Sequence, residues 1–225
     1  MTLNRYPTVA LYADGRLIMQ GAQIEIYPGP ALPSLQVTQL TLNGVDQVLA
    51  WAADAGLQGE DRFLGQPRPD AGVTTVVVSR PGEAPHTTTV SDMSAPDQET
   101  SAVRKFQEIL LAARSWLPND IIGNDQPYQW RSLQILVTPA DAASQPDPQL
   151  VTVRDWPLGD LGSAGIEIDE AHRCGLVEGA DADALRPALA GANELTLWRS
   201  GGATYAVQFH PQLPDDVACP GFAGP

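Results

Sequence analysis

The densest set of reactive side chains in the sequence is Glu167, Asp169, Glu170 and His172. Carboxylates beside an imidazole can hold a metal ion or move protons near neutral pH. A metal site needs more, and no second His stands at ligand spacing here. Ile166 and Ile168 alternate with the charges, which favours a solvated segment leading into a strand. Asn119, Asp120, Asn124 and Asp125 carry the oxygen ligands that calcium takes. Their spacing lacks the closing Glu of an EF-hand loop and fits a turn-rich connection instead. None of the GxSxG, SxxK or reactive-cysteine signatures is present, so covalent catalysis has no local mark. Gly159 to Gly165 is glycine-rich, yet it has no following Lys and opens no helix, so a phosphate cradle lacks both its cation and its dipole. His86 at a strand edge and His210 before Pro211 read as ordinary surface positions, and no triad is suggested by their spacing. The residue types therefore assign no catalytic residue, no metal ligand and no cofactor, and an enzyme is the less favoured reading.

Five tryptophans (51, 116, 130, 156 and 198) could supply a flat surface for a carbohydrate or a peptide. Trp51 and Trp116 fall within helical periodicity, where packing inside is the expected use. Trp130 and Trp156 lie beside irregular segments, so a binding surface is expected there first.

Composition narrows the partners. A net charge of −14 opposes nucleic acid and anionic membrane surfaces, both of which ask for clustered Lys and Arg. The one lysine is Lys105. A hydrophobic content of 43% with 18% charged residues fits a folded chain rather than a disordered one. No apolar run approaches the roughly 18 residues of a membrane-spanning helix. Met1 to Arg5 carries no apolar signal region, which fits either a cytosolic chain or an exported one whose signal has been removed. Cys174 and Cys219 could be separate buried thiols or one disulfide. The Pro- and Gly-rich tail around Cys219 has little else to hold it, which favours the disulfide and with it an oxidising compartment.

These side chains need a scaffold. The strongest periodic signal runs from Asp97 to Trp116, with Val103, Phe106, Leu110, Ala113 and Leu117 on one helical face and Pro118 as the stop. Leu42, Val45, Val48, Leu49 and Ala52 predict a second helix, capped by Thr41 or Asn43 and closed by Gly56. Asp14-Gly15 predicts a hairpin between 8–12 and 16–20. Strands are expected at 23–27, 35–40, 73–79 and 86–91, the last two forming a hairpin. Glu60 to Gly72 and Asn119 to Pro127 read as loops. Farther on, 132–138, 150–154 and 174–178 read as strands. A short helix capped by Asp181 or Asp183 ends near Ala190, with Pro187 early in it. A final hairpin joins 194–199 to 203–209 across Ser200-Gly201-Gly202. Alternation of strand pairs with helices predicts an α+β fold of two similar-sized sandwich halves, 1–118 and 128–225, each an antiparallel sheet covered by helices.

The strings Leu-Tyr-Ala-Asp-Gly-Arg (11–16) and Ile-Glu-Ile-Tyr-Pro-Gly-Pro-Ala-Leu-Pro (24–33) resemble the opening of a family of uncharacterised secreted proteins and lipoproteins from actinobacteria and related high-GC bacteria. Arg-Cys-Gly-Leu-Val-Glu-Gly-Ala-Asp-Ala (173–182), Leu-Trp-Arg-Ser-Gly-Gly-Ala-Thr-Tyr (197–205) and the run from Pro214 to Pro220 are similar to the same family. The resemblance implies location outside the cytoplasm, in the envelope or beyond it, with a lipid tether in some members. It implies no activity.

The sequence reading is thus an exported, monomeric binding or structural module whose partner is a protein or ligand of the cell envelope. Two alternatives stand beside it: an inhibitor-like module against an extracellular hydrolase, and a hydrolase with a site dispersed over residues 156–172.

Overall fold

Asp14 and Gly15 turn the chain back on itself, as their tolerance of positive φ predicts. Gly15 sits at φ +86, and a Cβ there would lie 2.2 Å from the Leu40 carbonyl oxygen, so the turn admits only glycine. It joins β1 (Val9–Leu11) to β2 (Arg16–Gln20) in an antiparallel pair with Leu11 opposite Leu17. In this computed structural model the described residues are 6–23, 25–66, 72–80 and 82–219. Met1 to Arg5, Ile24, residues 67–71 of the expected Glu60 to Gly72 loop, Pro81 and the Pro/Gly tail past Cys219 lie outside them.

Next come β3 (Leu35–Leu40) and α1 (Leu42–Asp54). Thr41, rather than Asn43, is the cap: its hydroxyl accepts from the Gly44 N–H at 3.1 Å. Then follow β4 (Arg62–Leu64), β5 (Val73–Val78) and β6 (His86–Ser91). α2 (Gln98–Leu111) starts at Asp97, whose carboxylate accepts from the Thr100 N–H at 2.8 Å. That backbone bond holds the Asp97 carboxyl below its ordinary pKa. The helix breaks at Ala112 and resumes as the single turn α3 (Ala113–Trp116) before β7 (Ile121–Pro127).

The structure departs from the expectation in three ways. The two hairpins do not merge into one sheet. β1, β2, β3 and β7 form a four-stranded sheet in the order β1-β2-β3-β7, and β4, β6 and β5 form a separate one in that order, with β4 parallel to β6. Residues expected to be loops supply β4 and β7. β7 carries Asn124, Asp125 and Gln126, which tolerate strand structure because it is an edge, open to water on its outer side. Of the expected strand at 23–27, the described residues Gln23 and Glu25 to Tyr27 form no strand, and Ile26 and Tyr27 are exposed. Leu17, Leu40, Val45, Val48, Val90, Val103 and Phe106 belong to one buried core.

The remaining elements are β8 (Ser132–Pro139), β9 (Thr152–Asp155), β10 (Ile166–Glu167), β11 (Arg173–Glu178), α4 (Gly179–Leu189), β12 (Thr196–Ser200) and β13 (Ala203–Pro211). They make a six-stranded sheet in the order β10-β11-β8-β13-β12-β9. Its pairs are antiparallel except β9 with β12. β8 reads Leu-Gln-Ile-Leu-Val and is buried throughout that run, as a central strand covered on both faces must be. α4 lays Ala182, Leu185 and Leu189 on the core. Arg154 closes its C-terminus by donating to the carbonyls of Ala188, Ala190 and Gly191. Pro187 stands in the last turn, not an early one.

The class is α+β. Packing divides the chain into two units, and the division is not the linear one expected. Thr8–Met19 and Gln36–Gln126 form the N-terminal unit. Tyr6, Pro7 and the segment from Gln20 to Leu35 belong with everything from Pro127 onward, the C-terminal unit. Backbone bonds explain this: Ala31 N–H donates to Ala192, Glu194 N–H donates to Gly29, and Ala31 and Leu32 pack on the C-terminal core.

Candidate functional site

Trp130 and Trp156, expected at a binding surface, are interior residues at 7% and 8% exposure. The Arg186 guanidinium covers the Trp130 ring at 3.9 Å and donates to the Trp130 carbonyl. Trp156 meets Trp198 edge-on at 5.4 Å, and Phe209 completes the cluster. Rings used this way have no face left for a partner, which corrects the expectation.

The polar clusters divide differently. Asp120 accepts from the Thr41 hydroxyl, and Asp125 is gripped by Arg114 at 2.6 Å and by Thr38. These bonds hold the Asp125 carboxyl below its ordinary value, Arg114 first and Thr38 second. Both carboxylates are spent on tying helix ends and strands together rather than on a cation. His210 is not a surface residue. It is buried under the Tyr6 ring, 4.2 Å between centroids, and its Nε2 lies 3.0 Å from Asp216. Burial, then the charge of Asp216, pushes the Tyr6 phenol well above its usual range. For Asp216, burial alone would raise the carboxyl, but the bonds from His210 and the Leu213 N–H outweigh it and leave the group below the ordinary value.

Cys174 and Cys219 are bonded as a disulfide across 45 positions of sequence. Cys174 is buried on β11, and the loop ending in Cys219 is thereby fixed to the centre of the C-terminal unit.

Two hollows remain. In the C-terminal unit, a cavity of about 190 Å³ is lined by Glu167, Asp169, Glu170, His172, Arg173 and Tyr205, the first sequence cluster with two additions. Asp169 accepts the backbone N–H groups of Ala171 and His172 and also meets the His172 Nδ1 at 2.7 Å. Those bonds, the Ala171 N–H foremost, keep Asp169 below its ordinary pKa and fix the imidazole through one ring nitrogen. Arg173 is committed to the carbonyls of Ala164 and Gly165 and to Glu167. The lining holds no Ser, Thr or Cys to act as a nucleophile.

The larger hollow, about 270 Å³, lies in the N-terminal unit between α1 and the α2–α3 arm. Trp51, Phe106, Ile109 and Trp116 supply its apolar wall, Ala55 and Ala102 its depth, and Asp54 and Lys105 its polar groups. Trp116 is 50% exposed, Trp51 is half-buried, and both charged groups are exposed. The helix spacing explains the grouping: Trp51, Asp54 and Ala55 share one face of α1, and Ala102, Phe106 and Ile109 share one face of α2. No family model matches the chain, and no curated protein or solved structure does. The sequence did carry a signal for this groove: Trp116 lies one helical turn past the apolar stripe's Ala113, at its margin, where a large ring is left uncovered.

Proposed function

We propose that the protein is an exported module of the cell envelope or extracellular space that binds a ligand through the groove lined by Trp51 and Trp116. The single observation behind this is the half-exposed Trp116 indole in a concave, largely apolar site, where leaving so large a ring wet has a cost unless a partner covers it. Export is supported by the disulfide, which persists in oxidising compartments, and by the family resemblance of both ends of the chain. The test is retention of envelope components by immobilised protein. The wild type is expected to hold a component that Trp51→Ala/Trp116→Ala releases; equal retention by both would remove the groove from the account.

One observation favours a second reading, hydrolysis at the smaller hollow. Asp169 holds His172 by Nδ1, which leaves Nε2 as the nitrogen available for proton transfer to a bound water. Turnover of small esters that disappears in His172→Ala would carry that reading; unchanged background rates would end it.

A further inference from the structure

The groove's chemistry also specifies a ligand, and this inference rests on the binding reading above. Its wall is aromatic and aliphatic, while its polar complement is one carboxylate, Asp54, and one ammonium, Lys105. Neither of these takes part in an ion pair among the described residues, and Lys105 is the only lysine in the chain. Neither the Trp51 nor the Trp116 indole N–H has a hydrogen-bond partner among those residues. The site therefore presents two indole rings at its wall, three donors of two kinds and a strong acceptor, none of these polar groups paired among the described residues.

Four ligand chemistries can be weighed against this set. An anion would satisfy Lys105 but would meet the Asp54 carboxylate. A cation would satisfy Asp54 but would meet Lys105. A purely apolar helix face would cover the rings yet strip water from two charges without replacing it, which is costly. A polyhydroxylated ring uses everything. Its axial C–H face lies on an indole, its hydroxyls donate to Asp54, and its hydroxyl and ring oxygens accept from Lys105 and the indole N–H groups. The cavity of about 270 Å³ is of the size that one or two sugar rings fill. We propose that the Trp51–Trp116 groove is a binding site for a neutral pyranoside, met as the end or a short stretch of an uncharged glycan.

The experiment is a ¹⁹F NMR titration of the full chain labelled with 5-fluorotryptophan. Trp130, Trp156 and Trp198 are interior and serve as controls for folding. The titrants are cellohexaose and chitohexaose as neutral glycans, polygalacturonate as an anionic glycan, and an uncharged amphipathic peptide. Neutral glycan is expected to shift the Trp51 and Trp116 resonances saturably and to leave the other three in place. Trp116→Ala should weaken that binding by about ten-fold or more, and Asp54→Ala and Lys105→Ala each by a smaller factor, with the control resonances unmoved. A groove that answers only to the peptide or to polygalacturonate overturns the pyranoside while leaving the groove as a binding site. Trp51 and Trp116 resonances that no titrant moves, together with equal envelope retention by the double variant, overturn both.

Discussion

The two units use tryptophan in opposite ways. In the C-terminal unit Trp130, Trp156 and Trp198 are interior, and Trp198 is fully buried among other rings. In the N-terminal unit Trp51 and Trp116 border a groove, and half of Trp116 meets water. The C-terminal unit has one broad six-stranded sheet with a disulfide; the N-terminal unit has two narrow sheets, of four and three strands, and helices of 13 and 14 residues. A broad sheet offers a wide floor on which large rings disappear. Two helices that meet over narrow sheets leave a furrow, and a ring at the end of a broken helix stays at its rim. A tryptophan's use is thus decided by the breadth of what lies beneath it, not by whether its own segment is helical or irregular.

That contrast can be broken from the inside first. Trp198→Ala should cost the C-terminal unit about 4 to 5 kcal/mol, the upper range for emptying a buried aromatic site, read as a drop in the midpoint of chemical denaturation. A loss near zero would mean the ring is not the keystone its burial implies. Replacing both cysteines by serine should cost about 4 kcal/mol in chain-entropy terms, because the bridge closes a long loop. Wild-type protein denatured with and without reductant should show the same difference, and the N-terminal unit's transition should stay where it was.

Acid sharpens the comparison further. The folded Asp216 carboxyl lies below its ordinary value of 3.8, so its pairing with His210 stabilises the fold fully above that value. The contribution fades as pH falls through the lower, folded value. Stability measured from pH 5 down to pH 2 should fall less steeply in Asp216→Asn than in the wild type. The smallest effect belongs to the groove: Trp116→Ala should cost less than about 2 kcal/mol, since half of the ring already lies in water. A loss above about 2 kcal/mol would make Trp116 a core residue and return it to the use its periodicity suggested.

Much of the fold could be read from local chemistry. A short side-chain oxygen before an apolar stripe announced α1 and α2, with Thr41 or Asn43 and Ser94 or Asp97 as the candidates and Thr41 and Asp97 the caps, and β3 coincides with its predicted span. The disulfide was legible because a Pro- and Gly-rich tail needs a tether. β4 and β7 were not, because each is an outer strand whose partner lies far away in sequence, so polar residues there carry no penalty and no pattern. The same holds for the parallel pairing of β9 with β12 and of β4 with β6. Of the site, the carboxylate and histidine cluster was visible as a cluster, while the groove left only the mark of Trp116 at the margin of the apolar stripe. Trp51, Lys105 and Trp116 lie on separate helices, and only the docking of those helices brings them to one place.

The route of the chain between units has a consequence for how the molecule is made. Residues 20–35 are synthesised well before their neighbours at 192–194. The N-terminal unit has every residue it needs once Gln126 is out, so it can close during synthesis with that early segment looped aside. The C-terminal unit cannot finish until Cys219 arrives, so it closes after the N-terminal unit is able to, and neither unit can be lifted out of the gene as an uninterrupted cassette.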